Sequence, residues 1–175
     1  MNIGTRPPTP APFEGIDLPG FTLTSSTLTD GAPMPEVATA RGGSLSPDLA
    51  WEGFPEGTAS FILTCFDPDA PIPSGWWHWA ILDIPVSMTH LDEGAGASDL
   101  ALDGPAFHLR GDAGEASYFG AAPPVGDRPH RYIFTVHALD VDTLGLDDDA
   151  TPAMASFAAL EHTIARATLT VTHQA

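Results

Sequence analysis

The sequence contains no lysine and only one cysteine. Six arginines are the only permanent side-chain cations against 23 acidic residues, so the formal net charge is −17 at pH 7 with neutral histidines. A chain this poor in cations has no basic face for a phosphate backbone, which argues against nucleic acid as a partner. The single cysteine, Cys65, cannot form an intrachain disulfide, which excludes a disulfide-stapled secreted scaffold.

Long apolar runs are also missing. No stretch reaches the length of about 18 apolar residues that a membrane-spanning helix needs. Residues 1–15 lack the apolar segment of a signal peptide. Anionic membrane surfaces attract basic patches, which this chain does not have. We therefore expect no stable membrane insertion and, by default, a cytoplasmic location.

The composition favours one domain that is mainly β. The chain has 175 residues, and its 18 prolines and 17 glycines are scattered along it. Scattered turn residues favour many short strands, and strands at intervals of roughly 8–12 residues predict a β-sandwich. Residues 1–12 are rich in Pro and Thr without periodicity, which predicts an extended arm before a single domain over residues 13–175.

The stretch Ser60 to Asp83 carries two apolar runs around a polar corner, and the predicted site lies at this corner. Its first apolar run predicts a strand that buries Cys65 and ends at Asp67, because Pro68 cannot donate to a sheet. Asp69 follows just beyond, so two carboxylates are expected to leave the sheet together. The same Asp-Pro-Asp is also an ordinary turn signal, which is the structural alternative.

The next apolar run, Trp76 to Ile84, predicts a second buried strand. His78 lies at its start, close in sequence to the two carboxylates, and is therefore a candidate site residue. A period of two predicts one face with His78, Ala80, Leu82 and Ile84 and an opposite face with Trp77, Trp79 and Ile81.

Residues 108–132 form a long segment rich in Gly, Pro and aromatic residues. Loops of more than about 12 residues inside a domain are usually functional or disordered, and the aromatics favour function. The segment leads into a predicted strand, His130 to Leu139, in which His130 and Tyr132 share a face.

Shorter patterns predict the remaining elements, which are strands at 21–24, 34–40, 49–51 and 167–172 and a surface loop at 89–105 with room for one helical turn. Thr151 followed by Pro152 is typical of a helix start. Apolar residues then repeat at helical spacing, which predicts an amphipathic helix over 152–165 that buries Ala153, Phe157, Leu160 and Ile164.

Three blocks resemble the phosphatidylethanolamine-binding protein (PEBP) family, in its bacterial Raf-kinase-inhibitor-like branch. They are D-P-D-A-P at 67–71, G-W-W-H-W at 75–79 and P-P-x-G-x-x-P-H-R-Y at 123–132, and weaker similarity extends over most of residues 17–172. The chain departs from this branch at Ala121-Ala122, where Gly-Pro-x-Pro-Pro is common after the tyrosine, and at Gly111, where Asn is usual.

The resemblance implies a β-sandwich of two antiparallel sheets with peripheral helices, one of them near the C-terminus. It also implies a small anion-binding pocket, and matching the motifs residue by residue gives Asp67, Asp69, His78, Tyr118, Gly120, Pro123, His130 and Tyr132 as its lining. Bacterial relatives favour a homodimer, and the family name suggests a partner kinase or protease. No cofactor is implied.

Two other chemistries use the same residue types. A metal site is disfavoured because Asp-x-Asp with remote histidines lacks compact ligand spacing, and the resemblance implies no required metal. A hydrolase acting on an ester or phosphoester would use His78 or His130 as general base, oriented by an aspartate. It lacks a nucleophile, since Ser74 and Ser117 lie in no nucleophile-elbow motif.

The favoured interpretation is therefore a non-enzymatic protein that binds a small phosphorylated or anionic ligand, with the hydrolase as the alternative. Because the chain is strongly acidic, positive charge must come from the pocket itself. We expect Asp67 and Asp69 to hold His78 and His130 in their charged forms, so that binding is tighter below about pH 6.5.

Overall fold

Eight strands form two antiparallel sheets in the computed structural model, which describes residues 5, 7, 9–13 and 15–175. The mainly β fold with two antiparallel sheets is thus confirmed. The three-stranded sheet has the order β1-β2-β5, and the five-stranded sheet has the order β6-β4-β3-β7-β8. The strands are β1 (Thr22–Thr24), β2 (Leu49–Glu52), β3 (Ser60–Asp67), β4 (Trp76–Pro85), β5 (His90–Leu91), β6 (Phe107–His108), β7 (His130–Leu139) and β8 (Thr163–His173).

Strand β3 lies at the centre of the larger sheet, between β4 and β7. Its alternate residues Phe61, Leu63 and Cys65 enter the sandwich core, where Trp51 of the smaller sheet packs edge-on against Phe61. Cys65 is fully buried, and burial raises the pKa of its thiol well above the usual value. The predicted burial of Cys65 is therefore confirmed.

Strand β4 has two register shifts against β3, and these correct the predicted faces. Ile84 pairs with Phe61 but Ile81 pairs with Leu63, so β4 holds an extra residue, and Asp83 takes up the left-handed conformation with φ 52°. Such a bulge reverses the alternation beyond it. Ile84 consequently joins Trp79 and Ile81 in the sandwich core.

The outer side of the larger sheet carries a second, smaller core, in which Ala80 and Leu82 of β4 pack with Ile62 of β3. Helix α1 (Pro152–Ala158) covers this side through Ala155, and Ala159 follows in the short 3-10 helix Ala159–Glu161. Small side chains at these positions allow the helix to approach the sheet closely.

The predicted helix over 152–165 is too long. Thr151 does cap α1, because its hydroxyl accepts a hydrogen bond from the N–H of Met154 at 3.2 Å. The helix ends at Ala158, however, and Ile164 already belongs to β8. Phe157 and Leu160 are 78% and 55% exposed, so the predicted apolar stripe is not the buried face. Pairing of β8 with β7 along its whole length overrides the helical pattern.

Two other segments differ from the prediction. Residues 34–40, all of which the structure describes, form no strand: they contain the 3-10 helix Glu36–Ala38 and one isolated bridge at Thr39. Residues 89–105 include β5 and the 3-10 helices Ala95–Ala97 and Asp99–Ala101, and part of this segment is buried. Across the described residues, no helix has the length and apolar character that crossing a bilayer requires.

Asp48 closes the turn after β1 and gives a testable stability prediction. Its carboxylate accepts hydrogen bonds from the hydroxyls of Ser25 and Thr27 at 3.0 and 2.8 Å and from the N–H groups of Ser26 and Thr27 at 2.8 and 3.1 Å. Partial burial would raise its pKa, but these hydrogen bonds outweigh burial and lower the pKa to about 2. The ionised form is therefore favoured in the folded protein.

Asp48→Asn should lower the free energy of unfolding at pH 7 by about 1–3 kcal/mol, because a charge-assisted acceptor is lost. The folded pKa lies below the unfolded value, so the stabilisation is present above about pH 4 and is lost as the pH falls towards 2. Urea unfolding from pH 7 down to pH 3 would measure both effects. The exposed Asp17→Asn is the matched control, and an equal effect of both variants would contradict the prediction.

Candidate functional site

A pocket of about 370 Å³ opens at one end of the larger sheet, where β3 ends and its antiparallel neighbours β4 and β7 begin. This arrangement brings together chain segments that are far apart in sequence. Ten residues line the pocket: Asp67, Ala70, Pro71, Ile72, Trp76, His78, Phe119, Ala122, Pro124 and His130. The structure therefore brings Asp67, His78 and His130 to one cavity.

A buried charge triad forms one wall of this pocket. His130 Nδ1 lies 2.7 Å from Asp67 Oδ2, and His130 Nε2 lies 2.9 Å from Asp127 Oδ2. All three residues are at most 3% exposed. Burial by itself would lower the pKa of His130, but the hydrogen bonds and charges of both aspartates outweigh burial and raise it. His130 is thus an imidazolium whose two N–H groups are already donated to carboxylates.

Asp69 is turned away from the pocket. Its carboxylate accepts hydrogen bonds from Arg128 at 2.6 Å and from Arg131 at 2.7 Å, while its N–H donates to Asp67 Oδ1 at 2.7 Å. Burial would raise the pKa of Asp69, but Arg131 and Arg128 outweigh burial and lower it. Arg131 also donates to the carbonyl of Thr9 at 2.7 Å, which attaches the N-terminal segment to this network.

His78 differs from His130 in its protonation. It lies at the second register shift of β4, and its Nδ1 is 2.7 Å from the carbonyl oxygen of Phe119. Because a carbonyl only accepts, Nδ1 must carry the proton. Burial lowers the pKa of His78 despite the nearby Asp67 charge, so the ring is neutral at pH 7. The expectation that both imidazoles are charged is therefore wrong for His78, and Nε2 remains as the nitrogen available to a ligand.

The two predicted tyrosines lie behind the pocket rather than in its lining. Tyr132 is 1% exposed, and its ring packs edge-on against His78 with centroids 5.0 Å apart. Burial together with Asp67 raises the pKa of its hydroxyl and outweighs a hydrogen bond with the backbone of Ala122, which would lower it. Tyr118 donates its hydroxyl to the carbonyl of Ala38 at 2.8 Å. Tyr132 thus supports His78, which does line the cavity, whereas Tyr118 packs against Trp79 in the core.

Gly120 and Pro123 shape the loop beside the pocket. A Cβ at Gly120 would collide with the backbone of Thr39 and Ala40, so only glycine fits this close approach. Its N–H donates to the hydroxyl of Ser44 at 3.0 Å. Pro123 lines a neighbouring cavity instead. These two residues therefore position the wall of the pocket.

Three residues that matter to the site escaped the sequence prediction. Asp127 completes the charge triad. Its position three residues before His130, inside the third motif block, is the feature of the sequence that could have identified it. Phe119 supplies the carbonyl that fixes the His78 tautomer. Trp76 lines the pocket with its ring, while its Nε1–H is buried away from solvent and has no partner among the residues that the structure describes.

The charged side chains of the triad are engaged with one another. Among the described residues, no group of three or more His, Cys, Asp or Glu side chains could hold a metal ion. Asp67 and Asp127 each use a carboxylate oxygen to accept a hydrogen bond from His130, and both nitrogens of His130 are occupied in this way. The triad is organised as a hydrogen-bonded ion cluster.

Comparison with known proteins finds matches along most of the chain. The phosphatidylethanolamine-binding protein family matches residues 24–174. The chain is similar to the UPF0098 protein YbhB of Escherichia coli K12, with 42% identity over 153 residues, which cover 85% of this chain and 96% of YbhB. It is also 42% identical over 134 residues to the UPF0098 protein YbcL of the same strain, covering 76% of this chain and 73% of YbcL.

Solved structures agree with these matches. The crystal structure of E. coli YbcL, described as a new member of the mammalian PEBP family, superposes with a TM-score of 0.85 and 38% identity, covering 89% of this chain and 98% of YbcL. A PEBP homologue from Chlamydia trachomatis superposes with a TM-score of 0.76 and 32% identity, covering 89% of this chain and 98% of the homologue.

The charge triad predicts that His130 keeps both ring protons above pH 6.5, where a free imidazole loses one. Imidazole ¹⁵N spectra of the native protein should show His130 doubly protonated, while His78 in the same spectra serves as the internal control with a proton on Nδ1 alone. Asp127→Asn should lower the pKa of His130 and destabilise the fold by about 1–3 kcal/mol, since one charge-assisted bond is lost.

The pH dependence of stability follows from the raised pKa of His130. This contribution is complete below the ordinary pKa of about 6.5 and is lost as the pH rises through the folded value. Loss of a His130 ring proton near pH 6.5 in the native protein would contradict this assignment.

Proposed function

Because the chain belongs to the phosphatidylethanolamine-binding protein family, we propose that it binds a small phosphorylated or similar anionic head group in the pocket between Trp76, His78 and Asp67. One observation carries the proposal. The pocket combines the free Nε2 of a neutral His78 with the carboxylate of Asp67, and the ring of Trp76 lies beside them. A phosphate monoanion can donate its P–OH hydrogen bond to the neutral imidazole nitrogen, and an ammonium group on the same ligand can donate to Asp67.

The charge triad decides which histidine serves the ligand. Both N–H groups of His130 are committed to Asp67 and Asp127, so His130 has no donor left for a phosphate oxygen. His78 Nε2 can accept from a phosphate P–OH, or it can take up a proton and then donate. Either route couples binding to a proton. Asp67 is the acceptor suited to a ligand hydroxyl or ammonium group.

The protein is proposed to bind this ligand without converting it. The pocket lining contains no Ser, Thr or Cys that could serve as a nucleophile. Of the two serines considered from the sequence, Ser74 donates to the carbonyl of Gly75 at 3.2 Å, and neither Ser74 nor Ser117 lines the pocket. No described residue specifically favours a kinase or protease partner, so the proposal is confined to ligand binding.

Calorimetric titration of phosphoethanolamine between pH 5.5 and 8 should give an affinity that falls as the pH rises, by at most about tenfold per pH unit for one linked proton. The heat should vary with the buffer, because binding takes up a proton. His78→Gln should weaken binding and flatten the pH dependence that remains. The matched control, His90→Gln, changes an exposed histidine outside the pocket and should alter neither.

An affinity that is independent of pH, or that is unaffected in His78→Gln, would contradict the proposal. Turnover provides a separate check. Hydrolysis of p-nitrophenyl phosphate that is abolished in His78→Gln would favour the hydrolase alternative instead.

A further inference from the structure

A second cavity, of about 390 Å³, lies on the other side of the segment 121–124. Ala122 lines both cavities, and its side chain is a single methyl group. Arg41 and His173 also line the second cavity, which we call the Arg41 pocket. The two pockets are therefore neighbours separated by a segment that presents little side-chain bulk where they meet.

Arg41 is unusual among the arginines of the described residues. It has no hydrogen-bond or ion-pair partner there, whereas each of the others is engaged: Arg110 with the carbonyl of Gly114, Arg128 and Arg131 with Asp69, and Arg166 with the ring of Phe13. Arg41 is exposed, so water can solvate its charge, but in a chain with a formal net charge of −17 it is a cation left available to an anionic ligand beside the candidate site.

The backbone around Arg41 is held in place. The N–H of Ala40 donates to the carbonyl of Ala121 at 3.0 Å, which ties the turn directly to the segment between the two pockets. On the other side of Arg41, the N–H of Gly42 donates to the hydroxyl of Thr39 at 3.0 Å, and Gly42 has no room for a Cβ. The backbone on both sides of Arg41 is therefore held by hydrogen bonds, next to the segment that separates the Arg41 pocket from the pocket lined by His78.

The Arg41 pocket is linked to the charge triad as well. His173, at the end of β8, pairs with His130 of β7, and the neighbouring Gln174 donates its side-chain amide to the carbonyl of Asp127 at 2.8 Å. Glu36 also lines this pocket, so its carboxylate opposes the attraction that Arg41 exerts on an anion there.

We propose that the Arg41 pocket is a subsite for a second anionic group of the same ligand, across Ala122 from the head group bound by His78. This inference rests on the proposed function and narrows it. The ligand class becomes elongated molecules that carry a phosphate at one end and a second phosphate or a carboxylate at the other. Arg41 is then a specificity-determining residue, since it selects such ligands over a single head group.

The test uses linear alkane α,ω-bisphosphates with two to six carbons, each compared by calorimetry with the alkyl monophosphate of equal length. A bisphosphate of the matching length should bind roughly tenfold more tightly than its monophosphate, because the second contact is intramolecular and charge-assisted. The advantage should shrink with added salt, since Arg41 is exposed.

Three variants and one control variant make this test more specific. Arg41→Gln should abolish the advantage of the bisphosphate while leaving the monophosphate affinity unchanged, and the matched Arg110→Gln should change neither affinity. Ala122→Trp should obstruct the route between the pockets and also remove the advantage. Glu36→Gln should increase the bisphosphate affinity.

The outcomes separate this inference from the proposed function. Monophosphate binding that depends on His78, with no bisphosphate advantage at any length, would overturn the subsite and leave the proposed function intact. Bisphosphate binding that depends on Arg41 but not on His78 would support the Arg41 pocket and overturn the proposed function. Absence of binding by either class of probe would overturn both.

Discussion

The imidazolium of His130, buried between two carboxylates, is the interaction on which the site depends. It joins the end of β3 through Asp67, the start of β7 through His130 and the preceding loop through Asp127. Asp67 in turn accepts from the N–H of Asp69, which holds two arginines. Removing one member would leave a buried charge without its partner, which is far more costly than never burying it. The hydrogen-bonded charges of the site are therefore expected to form as one cooperative unit when the chain folds.

This commitment of His130 determines how the rest of the pocket can work. A histidine whose two N–H groups both donate to carboxylates of the protein stabilises the wall but has no donor left for a ligand. The raised pKa of His130 therefore serves the stability of the site and not ligand binding. His78 has the opposite environment, because burial keeps it neutral and the Phe119 carbonyl holds only one ring nitrogen. The pocket thus separates two roles, support and recognition, between two histidines of the same sheet.

Much of the scaffold could be predicted from the sequence, because it rests on local rules. Pro68 ends β3 at Asp67, alternation buries Cys65, and the Thr151-Pro152 pair begins α1. Where long-range pairing competes with a local pattern, the prediction is wrong. The helical spacing that reaches Ile164 yields to the pairing of β8 with β7, and the bulge at Asp83 reverses the faces of β4.

The sequence by itself determined the mainly β class and the family resemblance, because these follow from residue types and motifs along the chain, and the resemblance in turn implied the proximity of Asp67, His78 and His130. Only the tertiary structure decided their protonation and their availability. A pKa depends on burial and on neighbouring groups, and the groups that matter here lie 63 positions from His130 and 41 positions from His78. Which hydrogen-bond donors remain for a ligand is therefore known only once the chain is folded, because every contact made inside the protein removes one.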